Sequence, residues 1–289
     1  MPNIEIIKKS LENAEQFLEF KSIPQDEIQI MWIGQAGFIL KYKNMMLIID
    51  PYLSDYLAKK NRGKLFPHTR LMKIPINPEL LTNLDYILCS HAHSDHMCPE
   101  TITILSEKNP EVTIVVPAAE LEEAINRGAK AHQIIQINDG ELISLENKIN
   151  LIGVAAAHEA LKINDKGQHH FLGFVFDFDG VRIYHSGDCV PYVGLTEKLR
   201  ALEIDIALLP INGRDEYRLK NNIAGNFRIS EVIDLCMSAE IKTLIVHHFG
   251  MFAYNTVLND ELDELRSSSF SRLQIIVPEI STIYKIKKT

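Results

Sequence analysis

Residues 89–98 read CSHAHSDHMC, which places His91, His93, Asp95 and His96 within six consecutive positions. Three imidazoles and a carboxylate crowded together are costly to desolvate, and a shared cation compensates all four at once. On an extended segment His91 and His93 point the same way, whereas Asp95 and His96 begin the turn that follows. One short loop can therefore offer two donors to each of two adjacent cations. The competing reading is a solvated polar loop that is His-rich by chance.

Four donors do not fill two coordination shells, so partners are needed elsewhere, each at the end of a buried strand. His158 closes LIGVAAAH, Asp188 follows VRIYHSG within YHSGD, and His247 ends KTLIVH. The adjacent His248 is read either as a general acid for a leaving group or as a residue stacked beside the site. His185 is expected to brace the loop that bears Asp188. His169 and His170 of GQHHFLG are expected on an exposed loop, with His170 kept as a candidate for the mouth of a pocket. Arg214, Arg218 and Lys220 in NGRDEYRLKNN are the natural donors to a substrate phosphate, although the same charge density suits a solvated loop.

Such an array needs strands whose ends converge. EIQIMWIG, AGFILKYK and MMLIID read as an antiparallel meander, with Gly34 and Gly37 as turn residues and no dinucleotide fingerprint. LDYILCS has the length of a buried strand and delivers HAHSDHM at its carboxyl end, after which Pro99 opens a helix. EVTIVVP, AAELEEAINRGA and HQIIQI alternate strand, helix, strand. GELISL, KINLIGVAA, HFLGFVFDF and VRIYHSG follow as strands, the last two joined by an Asp179–Gly180 turn. TEKLRALE and SEVIDLCMSAE are helices, the second with Ser230 as N-cap, and they alternate with the buried strands IDIALLP and KTLIVHH. The pattern is α/β (α+β), a class in which sites are built at strand ends. Trp32, Phe38 and the aromatics of FVFDF are expected in the core.

The rest of the chain narrows the class. Of 289 residues 46% are hydrophobic and 24% charged, with a net charge of −8 and no basic cluster, which argues against a dedicated nucleic-acid binder. Cys89, Cys98, Cys189 and Cys236 form no CxxC pair and read as buried thiols of a reducing compartment. MPNIEIIKKSLENAEQFLEF reads as an amphipathic helix over residues 1–20, neither signal peptide nor membrane span. No repeat or linker divides the chain, so one domain over residues 1–289 is expected.

HAHSDH, followed by a separate histidine, a later GD and a final histidine after a buried strand, resembles the metallo-β-lactamase superfamily from roughly residue 28 to 285. The resemblance implies a four-layer αββα sandwich. It makes His91, His93 and His158 ligands of a first metal, Asp95, His96 and His247 ligands of a second, and Asp188 the bridge, with Asp95, Asp188 and His248 as catalytic residues. MWIGQAGFILK, YHSGD and LIVHHFGMFAYN are similar to the L-ascorbate-6-phosphate lactonase branch of cytoplasmic, manganese-favouring enzymes. That likeness implies hydrolytic opening of a small phosphorylated sugar lactone by a cytoplasmic protein of a kind in which homo-oligomers are common, although the sequence does not fix the oligomeric state. The chain departs from those lactonases in being shorter and in offering His158 where they have a carboxylate. Manganese, zinc and iron all suit the donors. Two other classes fit the same motif: a phosphodiesterase or ribonuclease-type hydrolase, and a non-catalytic metal sensor.

Overall fold

The computed structural model describes residues 4–19 and 21–288. They form two compact units, one running to Ile137 and resumed from Glu279, the other spanning Asn138–Pro278. No shift in composition marks either junction, and the boundary was accordingly not visible in the sequence.

The first unit holds an eight-stranded mixed sheet in the order β1-β15-β2-β3-β4-β5-β6-β7. β2 (Glu27–Gly34), β3 (Gly37–Tyr42) and β4 (Met45–Ile49) make the antiparallel meander expected from their apolar, β-branched sequences, and all their residues are buried. β4, β5 (Tyr86–Leu88), β6 (Thr113–Pro117) and β7 (Ile134–Ile137) then run parallel. Parallel neighbours require crossovers. The short α1 (Tyr56–Lys60) lies in the β4–β5 connection, and α2 (Pro99–Lys108) and α3 (Leu121–Asn126) lie in the next two. Ile102 and Leu105 of α2 pack with Ile48, Ile87 and Ile114 of the strands in one core cluster, and each such fully buried side chain contributes roughly 1.5–3 kcal/mol.

The N-terminal segment is not the helix read from its charges. Ile4–Ser10 is β1, paired antiparallel with β15 (Thr282–Lys288), and only Ala14–Leu18 forms a 3-10 turn. Ile4 and Ile6 alternate with exposed Glu5, a period of two that suits a sheet edge. Residues 1–3 and 20 of that expected helix lie outside the described residues.

The second unit holds a seven-stranded mixed sheet in the order β14-β13-β12-β11-β10-β9-β8. β8 (Leu142–Ser144), β9 (Ile149–Ala155), β10 (Leu172–Phe178) and β11 (Arg182–His185) are antiparallel neighbours. Asp179 and Gly180 turn β10 into β11 with φ of 54° and 88°, the left-handed pair that a type I′ hairpin needs. β12 (Ile206–Pro210), β13 (Thr243–His247) and β14 (Gln274–Ile276) continue parallel. α4 (Leu195–Ala201), α5 (Glu216–Lys220), α6 (Ile229–Ser238) and α7 (Asn259–Ser267) occupy the connections. Ser230 is not the cap of α6: the N-cap is Arg228, whose N–H donates to Glu231 at 2.8 Å. No described helix is long and apolar enough to cross a membrane.

Two mixed sheets with intervening helices agree with the α/β reading. His91, His93, Asp95 and His96 in the first unit and His158, Asp188 and His248 in the second stand in segments that leave the carboxyl ends of strands.

Candidate functional site

In the first unit the chain leaves β5 at Leu88 and enters α2 at Pro99, and the loop between them carries the histidines. The amides of His96 and Met97 donate to the His93 carbonyl at 3.0 and 2.8 Å, which folds the segment into a tight turn. The His91 ring centre lies 4.7 Å from that of His93 and 4.1 Å from that of His96. Donor atoms of His91 and His93 are within 4.8 Å of each other, as are those of Asp95 and His96. His91 and His96 are buried, Asp95 is half-buried, and His93 is exposed.

Beneath this loop sits a group that sequence reasoning missed. Asp50, fully buried just after β4, accepts the Ser90 N–H at 2.7 Å and the Ser90 hydroxyl at 2.6 Å, and its Oδ2 lies 2.7 Å from His96 Nδ1. A carboxylate in that place holds the imidazole proton on Nδ1 and presents Nε2 as a donor to a cation. A signal existed: Asp50 closes the apolar run MMLIID, as the other site residues close theirs.

In the second unit His158 follows β9 and Asp188 follows β11. The Val190 N–H donates to the Ala157 carbonyl at 2.8 Å and ties these two loops together. His158 Nε2 lies 3.8 Å from Asp188 Oδ2, and His248 Nε2 lies 3.4 Å from Asp188 Oδ1. The Gly187 N–H donates to His185 Nδ1 at 3.0 Å, so His185 does brace the loop.

The histidine doublet ends β13: His247 is its last residue and His248 follows it. The ring of His247, read from sequence as a ligand, stacks on that of His185 at 4.9 Å and 3°. The backbone turns at His248, with φ of 60°, and this brings the second imidazole to Asp188.

Residues 216–220 of the expected loop form α5, and both arginines already have acceptors. Arg214 makes a forked ion pair with Glu231, at 2.6 and 2.7 Å, and also donates to the Asn226 carbonyl. Arg218 bonds Asp215, the Asn212 carbonyl and Asn255. A phosphate bound by these guanidinium groups would have to compete with these acceptors. Lys220 is exposed and lies 3.3 Å from Glu216. His169 and His170 are half-buried rather than exposed. The Nδ1 of His169 lies 3.2 Å from Asn138 Oδ1, and the His170 N–H donates to the Lys162 carbonyl.

The four cysteines are buried free thiols, and burial pushes Cys189, next to Asp188, up to about 12. A thiol held protonated is a poor nucleophile. The donors that the loops bring together are imidazole nitrogens and carboxylate oxygens, a set that fits divalent zinc, manganese or iron.

Comparison with known proteins agrees with this chemistry. The β-lactamase superfamily domain matches residues 46–249. A UPF0173 metal-dependent hydrolase of Thermoplasma acidophilum is 34% identical over 65% of this chain and 72% of its own length. The UPF0173 metal-dependent hydrolase of Myxococcus xanthus is 26% identical over 87% of this chain and 81% of its own. Among solved structures, Igni18, a metallo hydrolase of Ignicoccus hospitalis, superposes with a TM-score of 0.65 at 17% identity, covering 90% of this chain and 98% of that one. An isothiocyanate hydrolase from Delia radicum gut bacteria gives 0.68 at 16% identity over 88% and 98%. At such identities the two structures speak for the fold alone.

Proposed function

Since the chain belongs to the β-lactamase superfamily, we propose that it is a metal-dependent hydrolase whose donors to divalent ions are His91, His93, Asp95 and His96 in the first unit and His158, Asp188 and His248 in the second. The observation that carries this reading is the Asp50–His96 contact of 2.7 Å between side chains of 0% exposure. A carboxylate–histidine pair buried so completely is a weak stabiliser. It is, however, the common device for fixing the tautomer of a metal-binding histidine.

Ions held by such donors lower the pKa of water from about 15.7 toward ~7 and so supply hydroxide at neutral pH. The chain's own residues do the positioning. Asp50 keeps the proton on Nδ1 of His96 and leaves Nε2 to bind. His158 Nε2 and His248 Nε2 lie against the two oxygens of Asp188, so these three side chains would offer their donor atoms to an ion together. Ser90, bonded to Asp50 through both its amide and its hydroxyl, keeps that carboxylate from turning away.

The substrate of this reading is a small molecule with an electrophilic carbonyl, a sugar lactone bearing phosphate. Its support is the resemblance of MWIGQAGFILK, YHSGD and LIVHHFGMFAYN to lactonases. Recognition of the phosphate would rest on Lys220, His170 or groups not yet assigned, because Arg214 and Arg218 are engaged.

The test is to measure metal content and then assay sugar-phosphate lactones beside bis(p-nitrophenyl) phosphate with manganese or zinc. Lactone opening without diester cleavage is expected. Diester cleavage alone would make the protein a phosphodiesterase, and inactivity toward both with ions bound would make it a metal sensor.

A further inference from the structure

The turn between β2 and β3 sends one side chain to the histidine loop. Gln35 is fully buried and adopts φ of 51°, a left-handed conformation that a residue with a Cβ enters only at a cost. Its surroundings hold it there. The Trp32 indole N–H donates to the Gln35 carbonyl at 3.0 Å. The strand register is irregular between Trp32 and Gly34, and a Cβ at Gly37 would come within 2.8 Å of Ile33, so the turn has little room to relax. Out of this clamp the Gln35 amide reaches across 60 residues of chain and donates from Nε2 to Asp95 Oδ2 at 2.8 Å.

Backbone strain that is maintained this way is characteristic of residues with a task. The same Asp95 oxygen lies 3.8 Å from His96 Nε2, the nitrogen that Asp50 turns outward. We propose that Gln35 is the positioning residue of Asp95, fixing the carboxylate beside His96 Nε2 so that the two bind one cation together. This rests on the hydrolase reading for the identity of Asp95 as a donor.

An amide suits this task for a physical reason. A lysine or arginine in its place would orient Asp95 equally well but would neutralise it and compete with the cation. A glutamate would repel it. The amide orients without charge, and it leaves the full negative charge of Asp95 for the ion. In this first unit Gln35 therefore serves Asp95 as Asp50 serves His96.

Two measurements test the assignment. The first is made on the full chain in chelator, where no ion contributes: thermal midpoints of Gln35→Ala, Asp95→Ala and the double variant. If the amide–carboxylate bond is what Gln35 contributes, the double variant melts no lower than the lower of the two single variants. Additive losses would overturn the proposal, whether or not the protein binds metal. The second is a zinc titration of the wild type, Gln35→Ala and Gln35→Glu. The expected result is a 10–100-fold loss of affinity for one ion in Gln35→Ala, a larger loss in Gln35→Glu, and an unchanged second ion held by His91 and His93. Equal weakening of both ions, or affinity within twofold of wild type, would contradict it.

Discussion

Asp50 Oδ2 and His96 Nδ1 lie 2.7 Å apart although 46 residues separate them in the chain. Asp50 accepts from three donors, the Ser90 amide, the Ser90 hydroxyl and His96, and a carboxylate has the lone pairs to satisfy all of them. Asn has a single acceptor oxygen. Asp50→Asn therefore leaves at least one buried donor facing an NH2 group and should cost about 1–3 kcal/mol of stability. Metal affinity should fall by roughly 10–100-fold as His96 loses its fixed tautomer. Urea unfolding and metal titration measure the two effects, and a variant that keeps wild-type affinity would remove Asp50 from the site.

The two histidines of the doublet make different contacts. His248 meets Asp188 while His247 stacks on His185. His248→Ala should lose one ion and at least about 100-fold in turnover, as expected for an activating ion that is not held. His247→Ala should keep both ions and show its effect chiefly as a lower thermal midpoint, because it opens a cavity under a buried ring. The opposite pattern in metal analysis would return the ligand role to His247.

Lys41, remote in role from the histidines, sets part of the pH dependence of stability. Burial lowers its ammonium from the ordinary 10.5 to about 8, while the side chain donates to the Phe17 carbonyl. Between those two values the unfolded chain holds a proton that the folded chain has released, so this residue's contribution to stability rises with pH across the window. Below pH ~8 both states are protonated and the cost of the buried charge is felt in full. Urea midpoints of wild type and Lys41→Met at pH 7 and pH 10 test this. The wild type should gain relative to the variant at the higher pH, and a constant difference would show that Lys41 does not titrate there.

What was legible in the sequence followed from local pattern. The contiguous His91–His96 cluster and the strand-closing His158 and Asp188 could be found because each stands at the end of an apolar run. The β2–β4 meander and the Asp179–Gly180 turn were equally local. Asp50 and Gln35 act through hydrogen bonds that span 46 and 60 residues, and no spacing rule announces such partners. β1 escaped for the same reason, since its pairing partner is the last strand of the chain. The choice between His247 and His248 depends on one backbone angle, the φ of 60° at His248. Arg214 and Arg218 looked available only because their acceptors, such as Glu231, could not be seen beside them.

The central claim is that the Asp188 carboxylate, set against His158 and His248, is a donor to divalent ions in a hydrolase. Metal content and lactone turnover of the wild type and Asp188→Ala, measured on the same preparations, test it most directly. The expected result is two ions per wild-type chain, fewer than two in the variant, and no measurable variant turnover. A variant that retains both ions and substantial activity would contradict the account.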